Sequence, residues 1–584
     1  MRFKINIINN NYEEIMLSIE EGENLKKLLI NTGIVDFPCG GKGTCGKCKV
    51  KIKENIEYGK QELQLLSDFE IENNIHLACK VVVDRDLTIL TNEATSFTIL
   101  DKTNINNVEL NTGIEFIDIS SLKEIKGNSI TSNVDIVGEY LLSVKKENTK
   151  LPLNIIKKIN CINSETSNEL SLVTINNEVL NLLSGEQKSY GVAVDIGTTT
   201  LVMYLFDLIN GKKIDSISNI NPQRRFGYDV ISRINYSDSE DRLEELRVVI
   251  IDEIGKMLNN LFKNHNLKKA WLNHVVFAGN TTMSHLLVGA DVKNFGRVPF
   301  TPQFLDMLSL SSKDLGLESN YNAKVTILNN ISSFVGGDLV AGIIDTDLDI
   351  LSSYNLLIDI GTNGEMILGS KDKIFCCATA AGPAFEAANI SCGVGSIDGA
   401  ICKVYKENGE VKIDTIGNKA PVGICGTGLI DLVAYMLDEE IIDEVGYLEE
   451  DFVICKDANG KEITITPKDI REVQLAKAAI RAGIECLMEE VNIKIDNINS
   501  IFVAGGFGNY LNMDSAIKIG LIPSCKEKLI SMGNSAGSGA CKILLNNKLL
   551  ERAKKIKRIS TYIELSSNKN FMDMYIENMY FEEK

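Results

Sequence analysis

The sequence predicts a multidomain protein of mixed α+β and α/β class. It reads as a small β-rich unit with a cysteine-bearing loop, a linker, a small middle α/β domain and a large two-lobed α/β domain. Three observations predict this. Cys39, Cys45 and Cys48 share one glycine-rich loop, "PCGGKGTCGKC". A strand–turn–strand reading D-I-G-T occurs twice, at Asp195 and at Asp359, 164 residues apart. A chain of 584 residues also exceeds what one hydrophobic core organises, so about three or four domains are expected. The expected boundaries are 1–94, a linker at 95–109, 110–188 and 189–584.

In the first unit "RFKINII" alternates as a strand, with Phe3, Ile5 and Ile7 on one face. "EIMLSI" is a second strand, "NLKKLLINTGI" a short helix ending at Gly33, and "KCKVKI" and "CKVVV" later strands. The cysteines are spaced C-x5-C-x2-C, and Cys79 follows after 30 intervening residues. Three thiolates in a tight loop and one distant is a [2Fe–2S] arrangement. Gly40, Gly41, Gly43 and Gly46 remove Cβ bulk and turn backbone N–H groups toward inorganic sulfide. Zinc competes, because C-x2-C is also a zinc spacing, but zinc knuckles usually supply two such pairs and this loop has one. The ten remaining cysteines of fourteen are scattered and read as small buried hydrophobes, the adjacent pair Cys376–Cys377 included.

Residues 95–188 are rich in Asn, Ser and Ile and carry no motif. From Tyr190 the text changes. "YGVAVDIGTTTLVMYLFDL" is an apolar strand, a turn and a second strand, and "LLIDIGTNGEMILG" repeats it. Two copies at half-domain separation are an internal repeat whose hairpins can face one cleft. Gly197 and Gly361 let the backbone approach a phosphate, and Thr198, Thr199, Thr200, Thr362, Asn363 and the Gly364 N–H offer donors to phosphate oxygens. Asp195 and Asp359 cannot cradle bare phosphate. They make sense with Mg²⁺, held through water, between them and the phosphates.

Other segments fit the same cleft. "NSIFVAGGFGNYL" is a buried strand ending in Gly505, Gly506, Phe507 and Gly508, where paired glycines let an adenosine lie flat. "SSFVGGDLVAGIID" and "MGNSAGSGACKILLN" read as helices with small-residue faces, suited to a close crossing between lobes. "VVFAGNTTMSHLL" runs a strand into Asn280 and Thr281, either at the γ-phosphate edge or as a helix N-cap. "ICGTGLIDLVAYML" opens a helix on a glycine turn. "REVQLAKAAIRAGIECLMEEV" is amphipathic, with Val473, Ala476, Ile480, Ile484 and Leu487 on its buried stripe. Its Gln474 and Lys477 read as a solvated face, with ribose or adenine contact as the alternative. His285 lies near the Asn280 turn and reads as structural.

Composition narrows the class. A net charge of −18 argues against a nucleic-acid binder, no apolar run reaches the roughly 18–20 residues that span a bilayer, and "MRFKINIINN" lacks a signal-peptide core. A cytoplasmic protein is expected.

These strings carry resemblances. The first unit resembles a β-grasp [2Fe–2S] ferredoxin, closer to the adrenodoxin and putidaredoxin type than to the plant type. The order of the cleft segments resembles the acetate kinase, sugar kinase, Hsp70 and actin superfamily over about 190–550. The combination, with "PCGGKGTCGKC", "VDIGTTT", "AGNTTM", "GGDLVAGI", "DIGTNGE", "AGPAFEAANI", "CGTGLID", "REVQLAKAAI" and "VAGGFG", resembles the reductive activators of corrinoid proteins. The resemblance implies an ATPase that passes one electron from the [2Fe–2S] cluster to a corrinoid protein. That electron returns inactive Co(II) to Co(I) in a corrinoid methyltransferase system. It also implies ATP and Mg²⁺ as cofactors, Asp195, Asp359, Asn280 and Thr281 as catalytic residues, a low-potential electron donor and a homodimer. Two other classes share the superfamily. A small-molecule kinase leaves the cysteine loop unexplained. An ATP-driven dehydratase activator bridges a [4Fe–4S] cluster between subunits, a role for which Cys392 and Cys425 are the residues open to misreading.

Overall fold

The structure is a computed structural model and describes residues 2–8, 14–30, 35, 37, 41–43, 46–90, 108–122, 131–146, 149–160, 169–317, 322–361, 363–387, 389–458, 460–505, 511–524 and 528–581.

The N-terminal sheet is built from β1 (Arg2–Ile8), β2 (Glu14–Glu20), β3 (Lys49–Ile52), β4 (Ile75–Leu77) and β5 (Leu87–Leu90), in the order β2-β1-β5-β3-β4. Ile5 and Ile7 are buried as the alternation predicts. The helix Leu25–Leu29 is capped by the Asn24 side chain, which accepts from Lys26 N–H. Its expected end at Gly33 lies outside the described residues. The strand expected at "CKVVV" does not form: Cys79 sits in a turn after β4, and Val82 makes only an isolated bridge to Asn24. The cause is the partner segment. Leu25 N–H bonds Val81 O and Val83 N–H bonds Glu23 O, but the partner chain coils into its helix directly after Asn24. The ladder therefore has nothing to continue on, although Val81 and Val83 still pack inward.

A three-stranded antiparallel sheet follows, β6 (Ile114–Asp118), β7 (Leu170–Ile175) and β8 (Glu178–Ser184), covered by the helix Asn133–Lys145. Its approach is pinned to the large unit: Asn111 N–H bonds Leu545 O and Asn547 N–H bonds Asn111 O, both at 2.8 Å.

The large unit holds two six-stranded sheets. In the first, β9 (Tyr190–Ile196), β10 (Thr200–Asp207), β11 (Lys213–Ile220), β12 (Leu272–Gly279), β13 (Leu308–Ser311) and β14 (Lys324–Ile327) take the order β11-β10-β9-β12-β14-β13. The second begins with β15 (Asn355–Ile360), β16 (Gly364–Gly369) and β17 (Ile374–Thr379). Two small sheets intervene, β18 (Ala400–Glu407), β19 (Glu410–Thr415) and β20 (Gly423–Ile424), then β21 (Phe452–Lys456) and β22 (Glu462–Ile465). The chain returns as β23 (Ile501–Gly505), β24 (Leu529–Gly533) and β25 (Ser560–Tyr562), completing the order β24-β23-β15-β16-β17-β25. Each sheet is thus a three-strand meander whose first strand is flanked by a later parallel strand, and the internal repeat read from the two hairpins is a repeat of whole lobes.

Between the sheets run the helices Gly337–Asp345 and Ser535–Leu545, buried in one core shared by both lobes. The small residues expected on their faces make the crossing close: a Cβ on Gly539 would lie 2.0 Å from Ala341 O. The helix Glu240–Asn264 backs the first sheet and Pro467–Glu490 the second. Cys376 and Cys377 are wholly buried on opposite faces of β17, one in each core.

Gln474 and Lys477 are not a solvated face. Both are buried on the helix Pro467–Glu490 and latch the C-terminal segment. Gln474 Nε2 donates to Val445 O at 2.9 Å and Met579 O at 3.0 Å, and Lys477 Nζ donates to Tyr580 O. The sequence pattern placed them at the edge of the apolar stripe, where tertiary packing by residues about a hundred positions away decides exposure.

Candidate functional site

Both hairpins open at the C-terminal ends of their lead strands, where paired β-strands run out and backbone N–H groups are left to a ligand. Asp195 is the penultimate residue of β9 and Asp359 that of β15. In the first turn Gly197 N–H bonds Thr200 O at 2.9 Å, and a Cβ at Gly197 would stand 2.8 Å from that oxygen. The turn is braced from below. Arg233, fully buried, donates to Thr198 O and to Gly227 O, and Asn221 Nδ2 donates to Gly197 O at 2.8 Å. Burial pulls the Arg233 guanidinium down to about 9.

Asn280 caps the following helix and also reaches the first hairpin. Its Oδ1 accepts from Met283 N–H and caps the helix Thr281–Val288, and its Nδ2 donates to Thr198 Oγ1 at 3.1 Å. Thr281 is not brought to the cleft surface: it is fully buried and its hydroxyl donates to Ser332 O at 2.6 Å. His285 is structural, its Nδ1 at 2.7 Å from Thr281 O and its ring stacked on Phe304.

Acidic groups converge on the hairpins, more than the sequence suggested. Desolvation pushes Asp195 up to about 6, opposed by Asn534, whose Nδ2 donates to Asp195 Oδ2 at 2.8 Å. Desolvation, then repulsion from Asp195, pushes Asp359 up to about 7. Asp338, in the first turn of the helix Gly337–Asp345, is raised to about 7 by desolvation and by Asp359 and Asp195. Desolvation, with Asp359 and Asp338, carries Glu365 well above the ordinary carboxylate range. Glu386 accepts from Thr199 Oγ1 at 3.3 Å. Such a set is strained without a cation, and a divalent ion with its water shell relieves it. Among the described residues no three His, Cys, Asp or Glu side chains stand where they could hold a metal ion directly.

Gly505 closes β23 against the second hairpin with φ +104, and a Cβ there would meet Ile360 O at 2.3 Å and Asp359 Oδ1 at 2.8 Å. Only glycine fits both the conformation and the space. Gly361, Asn363 and Gly364 lie in or beside the second turn, Gly361 N–H bonding Asn363 O at 3.0 Å. Thr362, Gly506, Phe507 and Gly508 lie outside the described residues.

Of the predicted cluster ligands, Cys39 and Cys45 lie outside the described residues. Cys48 and Cys79 are buried thiols on adjoining segments, since Ala78 N–H bonds Cys48 O at 2.8 Å. Gly41, Gly43 and Gly46 all have positive φ, +77, +77 and +65, a conformation that glycine takes without strain. Two buried thiols beside these glycines fit a metal–sulfur group. Cys425 is buried with Sγ at 3.3 Å from Ile401 O, and Cys392 Sγ accepts Thr464 N–H, so both are engaged within the second lobe.

Sequence reasoning missed Asp338, Glu386 and Asn534 as site residues. Each stood in a quoted segment, but none lies in the repeated hairpins, and only the fold shows that the segments meet.

Comparison with known proteins agrees with this architecture. Residues 8–84 match the 2Fe-2S iron-sulfur cluster binding domain, 190–350 the RACo middle region, and 353–584 the C-terminal ASKHA domain of RACo. The region those families call the middle is therefore the first lobe here. The chain is 32% identical over 579 residues, 94% of each chain, to the corrinoid activation enzyme RamQ of Eubacterium limosum. It is 26% identical to the [Co(II) methylated amine-specific corrinoid protein] reductase of Methanosarcina barkeri, over 66% of this chain and 76% of that one. A solved reductive activator for corrinoid, iron-sulfur protein superposes with a TM-score of 0.73 at 33% identity, covering 99% of this chain and 98% of that one. No helix among the described residues is long and apolar enough to cross a membrane. With its 2Fe-2S domain and its ASKHA domain, the chain belongs to the RACo family of reductive activators of corrinoid proteins.

Proposed function

We propose that the chain returns a corrinoid protein from Co(II) to Co(I) with one electron from a [2Fe–2S] centre, driven by ATP hydrolysis in the cleft between its lobes. The observation that carries this reading is the convergence of two phosphate-type hairpins and their carboxylates in a chain alike over its whole length to corrinoid activators. Cys39, Cys45, Cys48 and Cys79 would hold the cluster, which supplies single-electron transfer when bound. Asp195 and Asp359 would hold Mg²⁺ through water. Residues 197–200 and 361–364 would take the phosphates, Asn280 would fix the γ-phosphate edge through Thr198, and residues 505–508 would seat the adenosine. The working unit is a homodimer in the cytoplasm, supplied by a low-potential donor, with 95–109 as the linker that separates the cluster unit from 110–188 and the ATPase unit at 189–584.

The energetics call for ATP. For one electron, each 59 mV of uphill gap costs about 1.4 kcal/mol, so a deficit of a few hundred millivolts is several kcal/mol. A cleft that opens and closes on nucleotide supplies a two-state element able to meet that cost.

The test is Co(I) absorbance of the corrinoid partner under a low-potential donor, with and without ATP. Full-length protein accumulates Co(I) only with ATP. Cys45→Ala, anaerobically purified, hydrolyses ATP but leaves the partner as Co(II). Complete reduction without ATP overturns the coupling, and reduction by Cys45→Ala overturns the electron path.

A further inference from the structure

Glu386 belongs to neither D-I-G-T hairpin, yet it lies between them. It ends the 3₁₀ turn Pro383–Glu386 in the second lobe, and its Oε2 accepts from the hydroxyl of Thr199 in the first. The contact spans the cleft. Glu386 also repels Glu365 on the second hairpin and attracts Arg233 beneath the first. It is half-buried, so water reaches it.

The backbone behind it is strained. Ala387 has φ +57, a left-handed conformation that non-glycine residues rarely adopt. Packing holds it there: Ala387 is buried, and its carbonyl oxygen lies so near Gly393 that a Cβ on that glycine would stand 2.0 Å away. Strain kept by its surroundings aims the preceding side chain. Asp195 accepts from Asn534 of the second lobe, Asp338 from Leu339 N–H, and Asp359 abuts Gly505.

We propose that Glu386 orients and deprotonates the water that attacks the γ-phosphorus of ATP, an inference that rests on the ATP-hydrolysis reading above. A carboxylate facing a phosphate-binding turn repels a phosphate oxygen, but a water between them satisfies both. It gives one hydrogen to the carboxylate and turns a lone pair toward phosphorus. As the water oxygen bonds to phosphorus, its proton passes to Glu386, and the bond from phosphorus to the β–γ bridging oxygen breaks with its electron pair leaving on ADP. Thr199, released from Glu386, donates to a γ-phosphate oxygen.

The test uses full-length, cluster-loaded protein and measures steady-state ATP hydrolysis and equilibrium ATP binding. Glu386→Gln lowers kcat about 100-fold, within the range of general base catalysis, and leaves ATP affinity within about threefold of wild type. Sodium formate restores part of the rate of Glu386→Ala and leaves wild type unmoved, a response that a purely structural role would not give. Glu386→Asp, which keeps the carboxylate on a shorter arm, falls between wild type and Glu386→Gln and guards against loss of folding as the cause. A Glu386→Gln rate equal to wild type, a loss of affinity as large as the loss of rate, or failure of formate rescue overturns the assignment while the ATPase reading stands. Absence of ATP hydrolysis in the wild type overturns that reading, and this inference with it.

Discussion

In the first hairpin the paired residues are Ile196 with Leu201 and Asp195 with Val202; in the second they are Ile360 with Gly364 and Asp359 with Glu365. The second turn is one residue shorter, and side chains alternate along a strand, so the slip changes what faces the aspartate. Opposite Asp195 stands an apolar Val202; opposite Asp359 stands a second carboxylate. The surroundings sharpen the contrast. Asp195 takes a hydrogen bond from Asn534, whereas Asp359 has Asp195, Asp338 and Glu365 as charged neighbours. Like charges opposite one another on a sheet destabilise it. Two copies of one motif have thus become a braced half and a strained half, and the strained half is where the proposed cation would do most.

The largest expected effect tests that division directly. Asp195→Ala and Asp359→Ala each lower Mg²⁺-dependent ATP hydrolysis at least about tenfold, because each removes charge compensation beside metal and phosphates. Asp359→Ala is expected to lose more, since its partners are all anionic. Wild-type rates in both variants make the hairpins structural only, and a larger loss at Asp195 reverses the comparison.

A smaller effect appears in stability against pH without metal. Asp195 is raised to about 6 and Asp338 and Asp359 to about 7, against ordinary values near 4. Between roughly pH 4 and pH 7 the folded chain therefore binds more protons than the unfolded one. Stability falls as pH rises through that window, and the loss is complete above the folded values. In EDTA the unfolding midpoint of the ATPase unit should drop from pH 5 to pH 7.5, and Mg²⁺–ATP should restore more at pH 7.5 than at pH 5. Glu365→Gln removes the buried carboxyl opposite Asp359, which costs stability whether it is ionised there or held protonated, and should raise the pH 7.5 midpoint in EDTA by about 2–4 °C. A flat profile, or a fall on acidification over this window, contradicts the strained second hairpin.

The parts of this site legible in sequence were those with local causes. Glycine where backbone must approach, an apolar run ending in aspartate, and small residues on a helix face are visible in a few consecutive letters, and the structure has them in place. What depended on register or on distant packing was not legible. The one-residue difference between the turns looked like the same text, and the exposure of Gln474 and Lys477 was settled by Met579 and Tyr580. Asn534 read only as the start of a helix with small residues, yet its side chain crosses to another lobe. The strand expected at Val81–Val83 failed because its partner turned into a helix.

The smallest expected effect isolates the bracing of the first hairpin. Asn534 does two things at once: its Oδ1 accepts from Gly537 N–H at 2.7 Å, capping the helix Ser535–Leu545, and its Nδ2 donates to Asp195 at 2.8 Å. Asn534→Ala removes both. Loss of the cap costs about 0.5–2 kcal/mol, and loss of a donor to a half-buried carboxylate adds about 1–3 kcal/mol where that carboxylate is ionised. Asn534→Ser keeps a capping oxygen on a shorter arm and gives up the reach to Asp195. The two variants therefore separate the helix from the hairpin. Amide exchange at Gly537 should quicken in Asn534→Ala and stay slow in Asn534→Ser, while the metal-free midpoint at pH 7.5 should fall in both. If Asn534→Ser behaves as wild type in both measurements, Asp195 gains nothing from its donor and the first hairpin is no better braced than the second.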